Sequence, residues 1–390
     1  MNLPYWPEFD SSQINAAVKV LNSGKVNKWT GNETENFEKE FASFCGTKYA
    51  IALANGSIAL SAALKALGIG DGDEVITTPR SFIATASSIV LEGAQPVFAD
   101  IDKDSGCITA NSIEPLINHA TKAILVVHLA GWPADMLSIC KLAKSKNIFV
   151  IEDCAQAHGA EIGSKSVGSF GDISAWSFCQ DKIISTAGEG GMITTDRRDL
   201  WEKVWSLKDH GKSLNSLKQS KALKTYAYKF MHESFGYNFR LTELQSAIGR
   251  IQLRMLSKWN EIRTRNALIL FKYLESIPSI RIALPKKDLK HAYYKVYVYL
   301  EKRYLKDNWN RERIMHEINS QGFPAFSGTC SEIYLEDCFK KNSKYGFQVL
   351  PNAKLLGETS LMFLVHPTIN EIHMNKYSEI IRSVLLNSIK

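Results

Sequence analysis

Short apolar runs alternate with amphipathic stretches along the first half of this 390-residue chain. The runs are nearly continuous in Val, Ile, Leu and Ala, which suits strands that are buried on both faces. They predict strands at residues 49–53, 74–78, 96–99, 123–128, 148–152, 173–178 and 192–195.

The stretches between these runs carry apolar residues at helical spacing. Phe37, Phe41 and Phe44 recur at intervals of four and three, and Thr34 is a candidate N-cap. Strand and helix repeated in this order predict an α/β fold, with a large domain whose mostly parallel sheet is flanked by helices. The predicted helices cover residues 33–44, 57–67, 81–91 and 135–144.

The pattern changes near residue 240, where one long helix is predicted over residues 241–274. The elements that follow predict a smaller C-terminal α+β domain, and we place the boundary within the long helix, giving domains of residues 1–250 and 251–390. These later elements are a strand at 292–300, a helix at 310–320, a strand at 360–365 and a helix at 371–386.

Composition excludes several classes of protein. With 45% apolar and 22% charged residues, the chain resembles neither a disordered nor a collagen-like protein. A net charge of +7 suits small phosphate-bearing molecules, but there is no basic stripe for nucleic acid. No stretch approaches the roughly 18 apolar residues of a membrane span, and no signal peptide is visible. Seven Cys without a C-x-x-C motif predict reduced thiols and a cytoplasmic location.

Three strand ends carry candidate chemistry, because parallel sheets bind ligands at the carboxyl ends of their strands. The first is the turn Asn55-Gly56-Ser57, which joins a strand to a helix. Gly56 allows close backbone approach, and the free N–H groups of the first helical turn favour an anion such as phosphate. The alternative is an ordinary connection in which Ser57 caps the helix.

The second strand end carries Glu152 and Asp153. A carboxylate there is costly to bury without a cation, so Asp153 is expected to face a protonated ring nitrogen, a metal ion or an arginine, unless it merely caps a helix. Asp153, Cys154 and His158 mix hard and soft ligand types, so we expect no metal site.

The third is the end of the strand at 173–178, which is followed by Lys182 and a glycine-rich turn. A lysine held at a strand edge in a partly dry pocket can lose its proton and form a Schiff base. Taken alone, a lysine at such a position is far more often a solvated surface residue.

Taken together, these segments are far more specific than any one of them. Gln156 follows Asp153 by three residues and Lys182 follows it by 29. This order resembles the nucleotide-sugar aminotransferases of the DegT/StrS type, which are pyridoxal-phosphate enzymes with the aspartate aminotransferase fold. The resemblance covers nearly the whole chain, through Trp29-Thr30-Gly31 and the segments at residues 72–79, 96–102 and 236–243.

The resemblance implies a cofactor, pyridoxal 5′-phosphate, and a role for each matching residue. Lys182 would bind the cofactor covalently, and Asp153 would keep its ring nitrogen protonated, so that the ring acts as an electron sink. Gln156 would hydrogen-bond the phenolic oxygen and Phe82 would stack on the ring. The phosphate would be held by Gly56, Ser57 and Ser177.

The resemblance also implies a homodimer with shared active sites. Asn238 would reach the phosphate bound to the neighbouring subunit, while Arg240 and the turn at Thr30 would lie near the sugar or the interface. Two residues depart from the usual pattern: Cys179 stands where many relatives have His, and Arg80 follows Pro79. Arg80 could contact a substrate phosphate at the pocket rim or lie on the surface.

The implied reaction moves an amino group from an amino acid, by analogy L-glutamate, to a nucleotide-linked keto-deoxy-sugar, for surface polysaccharide or related amino-sugar biosynthesis. One rival is a dehydratase on the same scaffold, although relatives of that kind replace the cofactor lysine with His. Another is a non-catalytic regulatory protein, which the presence of Lys182, Asp153 and Gln156 disfavours.

Overall fold

The structure is a computed structural model that describes residues 3–217, 231–341 and 349–390. Within these ranges the strands are β1 (Tyr49–Leu53), β2 (Glu74–Thr77), β3 (Gln95–Phe98), β4 (Thr121–Val127), β5 (Phe149–Asp153), β6 (Glu161–Ile162), β7 (Lys165–Ser166), β8 (Ile173–Ser177), β9 (Gly191–Thr195), β10 (Ile280–Arg281), β11 (Leu289–Lys290), β12 (Val296–Leu300) and β13 (Ser360–Phe363).

The helices of the described ranges alternate with these strands in the first half and dominate the second. They are α1 (Ser11–Ser23), α2 (Glu33–Cys45), α3 (Gly56–Ala66), α4 (Ala84–Leu91), α5 (Ala110–Ile113), α6 (Met136–Lys146), α7 (Arg198–Leu207), α8 (Glu243–Leu274), α9 (Arg311–Ser320), α10 (Asp337–Lys340), α11 (Pro351–Thr359) and α12 (Glu371–Ser388).

A seven-stranded sheet in the order β1-β9-β8-β5-β4-β2-β3 forms the centre of the larger part. Its pairs are parallel from β8 through β3, whereas β9 runs antiparallel to both β1 and β8. Apolar clusters cover both faces, one built with α3 and α7 and the others with α2, α6 and α8. The predicted fold class is therefore confirmed.

The parallel register brings two strand ends together. Asp153 at the end of β5 pairs with Ala175 of β8, so the carboxyl ends of these strands lie at the same edge of the sheet. The turn between β1 and α3 reaches this edge as well, because Leu53 at the end of β1 pairs with Gly191, the residue opposite Ser177.

The C-terminal part consists of a small antiparallel sheet, β10-β12-β13, packed with α9 and α12. Helix α8 links the two parts, because Leu256 and Trp259 pack in the core behind the large sheet while Leu270 and Leu274 pack in the C-terminal core. The domain boundary near residue 250 stays a prediction. No helix in the described ranges combines the length and apolar content needed to cross a membrane.

Several local features differ from the expectations. Helices α1, α7 and α11 were not predicted, and α4 begins at Ala84 rather than at residue 81. Thr34 does not cap α2. The backbone N–H groups of Glu33 and Thr34 instead donate to the buried carboxylate of Glu243, which reaches them from the first turn of α8.

Candidate active site

A cavity of about 740 Å³ lies at the carboxyl edge of the large sheet. The C-terminal part closes it through residues such as Tyr294, Lys295, Thr329 and Met362. Every cofactor residue predicted to act within its own chain lines this cavity, namely Gly56, Ser57, Phe82, Asp153, Gln156, Ser177 and Lys182.

The turn before α3 forms a cradle for an anion. Asn55, not Ser57 as expected, is the N-cap, because its side-chain oxygen accepts the N–H of Ile58 at 2.9 Å. This leaves the hydroxyl of Ser57 exposed to the cavity. A Cβ atom on Gly56 would lie 2.6 Å from Cβ of Ser177, so only glycine allows the helix start to approach β8 this closely.

Asp153 is buried at the cavity floor with its carboxylate partly satisfied. Oδ1 accepts the N–H of Ala155 at 3.1 Å, and Oδ2 accepts the hydroxyl of Thr85 at 2.9 Å. Burial nevertheless raises the pKa of Asp153, opposed by these hydrogen bonds and by the charge of Lys182. A protonated ring nitrogen beside Asp153 would supply the cation that this carboxylate needs to stay ionised.

Gln156 has its amide orientation set by the backbone. Its side-chain oxygen accepts the N–H of Ala130 at 2.7 Å. Within the described ranges the amide nitrogen has no acceptor, so it is available to donate to a phenolic oxygen. Phe82 also lines the cavity and leaves 65% of its surface exposed, so a planar ring could pack against it.

Lys182 extends into the same cavity, and only 15% of its side chain is exposed. Its ammonium group lies 3.9 Å from Asp181 and 5.0 Å from the ring centroid of Tyr294. The indole N–H of Trp6 donates to the backbone carbonyl of Lys182 at 2.9 Å. This contact between distant parts of the chain holds the lysine backbone beside the cavity.

These residues fit pyridoxal phosphate on structural grounds. The cavity offers a helix start whose close approach to Ser177 requires Gly56, a buried carboxylate that forms no ion pair within the described ranges, and the amine of Lys182. The donor set also matches the separate parts of the cofactor, namely its phosphate, its phenolic oxygen and its ring nitrogen.

One group of metal-ligand residue types is found in the described part of the chain, consisting of His128, Glu152 and Cys154. The carboxylate of Glu152 already has hydrogen-bond partners. It accepts the N–H groups of three residues of the loop before β8 and lies 3.0 Å from Nε2 of His128. The His128 ring accepts a backbone N–H through Nδ1, so Nε2 carries the proton and donates to Glu152. This arrangement stabilises the loop and offers a metal few free donors.

Three predicted residues lie together outside the cavity of their own chain. Asn238 is exposed and pairs with Asp209 through the backbone, while Arg240 forms an ion pair with Asp209 at 2.8 Å. Thr30 is exposed next to Trp29, whose ring lies 4.4 Å from the ammonium of Lys212, another partner of Asp209.

Arg80 lies neither at the pocket rim nor on the surface. It is fully buried, stacks over Tyr297 with its guanidinium carbon 5.1 Å from the ring centroid, and donates to the hydroxyls of Ser331 and Ser360. The expectation that it contacts substrate is corrected: Arg80 joins the large sheet to the C-terminal part. Its partners are too distant in sequence for the local pattern to reveal them.

Sequence reasoning missed four residues of this site. Thr85 supports Asp153, and Trp6 holds the backbone of Lys182. Tyr294 donates its hydroxyl to Asp181, and Lys295 lines the cavity beside it. The run at residues 292–300 predicts a strand, and its pattern gives no sign that Tyr294 and Lys295 line a cavity.

Comparison with known proteins agrees with this geometry. Residues 7–383 match the model of the DegT/DnrJ/EryC1/StrS aminotransferase family. GDP-perosamine synthase of Escherichia coli O157:H7 is 36% identical over 297 residues, covering 75% of this chain and 78% of the relative. The dTDP-3-amino-3,6-dideoxy-alpha-D-galactopyranose transaminase of Aneurinibacillus thermoaerophilus is 38% identical, covering 76% and 80%.

A solved aminotransferase structure from Psychrobacter cryohalolentis superposes with a TM-score of 0.96, is 48% identical and covers 99% of both chains. The predicted family, the sugar aminotransferase activity and the cofactor, pyridoxal phosphate, are confirmed. The chain is thus a member of the DegT/DnrJ/EryC1/StrS aminotransferase family.

Proposed function

We propose that this enzyme transfers the amino group of L-glutamate to the keto carbon of a nucleotide-linked keto-deoxy-sugar. The observation that carries this proposal is the convergence of Lys182, Asp153 and Gln156 on one cavity that also holds an anion cradle. The names of two relatives support a nucleotide sugar as the amino acceptor. One name contains GDP and the other contains dTDP.

Bound pyridoxal phosphate supplies an electron sink for the electron pair left when a C–H bond next to nitrogen breaks. Asp153 holds a proton on the ring nitrogen, because its buried carboxylate is stabilised by a neighbouring positive charge. Thr85 keeps the Asp153 carboxylate oriented through its hydroxyl. Gln156 donates its amide N–H to the phenolic oxygen, and Gly56, Ser57 and Ser177 hold the phosphate.

Lys182 serves as the anchor of the cofactor and as the acid and base of the reaction. Its Nζ takes the proton from the amino-bearing carbon of glutamate in the first half-reaction. In the second half-reaction, Nζ gives a proton to the former keto carbon of the sugar. The 3.9 Å contact with Asp181 and the position beside Tyr294 keep this amine within the cavity.

The proposed enzyme is a homodimer in which each chain completes the other's active site. Asn238, Arg240 and Thr30 lie around Asp209, outside the cavity of their own chain. Large apolar side chains are exposed close by in sequence, namely Trp29, Phe235 and Tyr237, with Phe235 fully exposed. A surface of this kind suits a self-complementary interface that carries Asn238 to the partner's phosphate.

We infer a cytoplasmic enzyme whose amino-sugar product serves surface polysaccharide or related biosynthesis. Seven cysteines, none of them in a disulfide, support a reducing compartment. The amino-sugar activities named for the relatives support the assignment to biosynthesis.

The test incubates the purified, cofactor-loaded enzyme and L-glutamate with keto-sugars linked to GDP, dTDP and UDP. Mass spectrometry and NMR should show one sugar ketone converted to an amine, together with 2-oxoglutarate. Lys182→Ala is the matched control and should give no product. Loss of water from the sugar without gain of nitrogen would assign the chain to the dehydratase alternative instead.

A further inference from the structure

One lysine in the wall of the active-site cavity has no role in the proposed reaction. Lys295 lies immediately before β12 and lines the cavity from the C-terminal part. Its ammonium lies 4.8 Å from the ring centroid of Tyr294, and that of Lys182 lies 5.0 Å from the same centroid. The ammonium groups of Lys295 and Lys182 therefore both lie next to the ring of Tyr294.

Lys295 differs from Lys182 in lacking an anionic partner. Lys182 lies 3.9 Å from Asp181, whereas in the described ranges Lys295 forms neither an ion pair nor a hydrogen bond through its ammonium. Burial lowers the pKa of Lys295 to about 8, with Arg263 and Lys182 acting in the same direction and Asp181 opposing them. A half-buried cation without a counterion is costly, so an anion that enters the cavity gains by pairing with it.

The other charges of the cavity favour the same conclusion. Asp153, Asp181 and Glu189 line it, and each would repel an incoming anion. Asp181 accepts the hydroxyl of Tyr294, and Lys182 is taken up by the cofactor in the proposed function. Among the described residues that line the cavity, Lys295 is then the cation left to attract a negatively charged substrate.

We propose that Lys295 binds an anionic group of the substrates, either the carboxylate of the amino-acid donor or the diphosphate of the sugar nucleotide. This inference rests on the proposed function, since it takes both substrates from it. Both anions supply what the Lys295 ammonium lacks, a negatively charged oxygen inside the cavity. An ammonium on a flexible stem can pair with either one as a point charge.

The test measures equilibrium binding to the purified, cofactor-loaded enzyme by calorimetry. Maleate, a dicarboxylate without an amino group, reports on the donor site, while GDP, dTDP and UDP report on the diphosphate site. Lys295→Met should weaken maleate or the nucleotides by about tenfold or more, because a charge-assisted hydrogen bond is lost. Lys295→Arg should restore most of that affinity, since it keeps the charge.

Lys287→Met is the matched control, because Lys287 is exposed and does not line the cavity. Its affinities should equal those of the wild type. Should Lys295→Met fail to retain cofactor, Lys295→Gln replaces it as a neutral but polar variant.

The outcomes separate the two sources of the anion. Loss of maleate binding alone assigns Lys295 to the donor carboxylate, and loss of nucleotide binding alone assigns it to the diphosphate. Unchanged affinity for all four probes in a folded, cofactor-loaded variant would overturn the proposal, as would a wild-type enzyme that binds none of them. A wild type that binds these anions but aminates no keto-sugar would contradict only the proposed function.

Discussion

At the scale of single residues, the site depends on how Asp153 is kept charged in a buried position. Its carboxylate receives one backbone N–H and one hydroxyl, yet burial still raises its pKa. A carboxylate in this state gains most from a cation placed against it, and it stabilises that cation in return. The negative charge of Asp153 therefore favours the protonated form of a pyridine ring that binds beside it.

Replacing Asp153 by Asn should preserve cofactor binding and lower the rate of transamination. The amide keeps the shape and can still accept the Thr85 hydroxyl, but it no longer holds a proton on the ring nitrogen. Loss of one such electrostatic contact in the transition state lowers kcat by roughly 10²-fold or more. Asp71→Asn, the same change at an exposed position, is the control. Near wild-type turnover by Asp153→Asn would refute this role.

Borohydride treatment should label Lys182 with the cofactor. The amine of Lys182 lies in the cavity beside Tyr294, where it can bind the cofactor. Borohydride would reduce the C=N bond between Lys182 and the cofactor to a stable C–N single bond. Peptide mapping by mass spectrometry should place the added mass on the peptide that contains Lys182, and Lys182→Ala should not be labelled. Mapping of the label to another lysine, such as Lys295, would show the assignment to be wrong.

Asp153 was predictable because it stands at the end of an apolar strand, and Lys182, which lies beyond the end of β8, was predictable through the family resemblance. Arg80 was not, since its environment is built by Ser331 and Ser360, which are 251 and 280 residues away. Lys295 was overlooked because it interrupts a run of aromatic residues that the strand pattern already explained.

At the scale of elements, the phosphate cradle depends on the close approach of α3 and β8. The N-cap Asn55 sets the start of α3, and Gly56 brings it against Ser177. The free N–H groups of the first helical turn then face the cavity, where the helix dipole favours an anion.

Gly56→Ala should lower both stability and cofactor affinity. The new Cβ atom would lie 2.6 Å from Cβ of Ser177, so α3 and β8 must separate, at a cost of about 1–3 kcal/mol. Gly70→Ala is the control, because its Cβ atom meets only a backbone oxygen at 3.7 Å. Thermal unfolding and titration with pyridoxal phosphate measure the two effects. A Gly56→Ala variant equal to the control would contradict the cradle as described.

The strands and the long helix were predictable because their apolar patterns are strong. Helix α1 was not predicted, although Ile14, Val18 and Leu21 recur at the helical intervals of four and three. Their side chains are exposed in the structure. Helix α7 carried a usable signal, since its buried residues Leu200 and Val204 are four residues apart. The start of β12 was predicted too early because the residues before it form the cavity wall instead.

At the scale of the whole molecule, the proposed dimer explains why Asn238 lies outside the cavity of its own chain. Asn238→Asp should place a negative charge beside the partner's phosphate and weaken cofactor binding in its homodimer. Asn111→Asp, at an exposed position of α5, should bind cofactor normally.

Refolding Asn238→Asp together with Lys182→Ala should restore activity that neither variant has alone. In a mixed dimer, one site takes Lys182 from one chain and Asn238 from the other, so that site is intact. Random pairing makes about half of the dimers mixed, which returns roughly a quarter of wild-type activity. Activity that stays at the level of the separate variants, with mixed dimers confirmed by mass, would exclude shared sites.

Isotope transfer shows whether the amino group of glutamate reaches the sugar carbon in a reaction that requires Lys182. The enzyme is supplied with ¹⁵N-labelled L-glutamate and the keto-sugar that it converts, and the product is examined by NMR. We expect ¹⁵N bonded to the former keto carbon in the product of the wild type, and no such product with Lys182→Ala. An unlabelled product, or labelled product formed equally by Lys182→Ala, would contradict the proposed reaction.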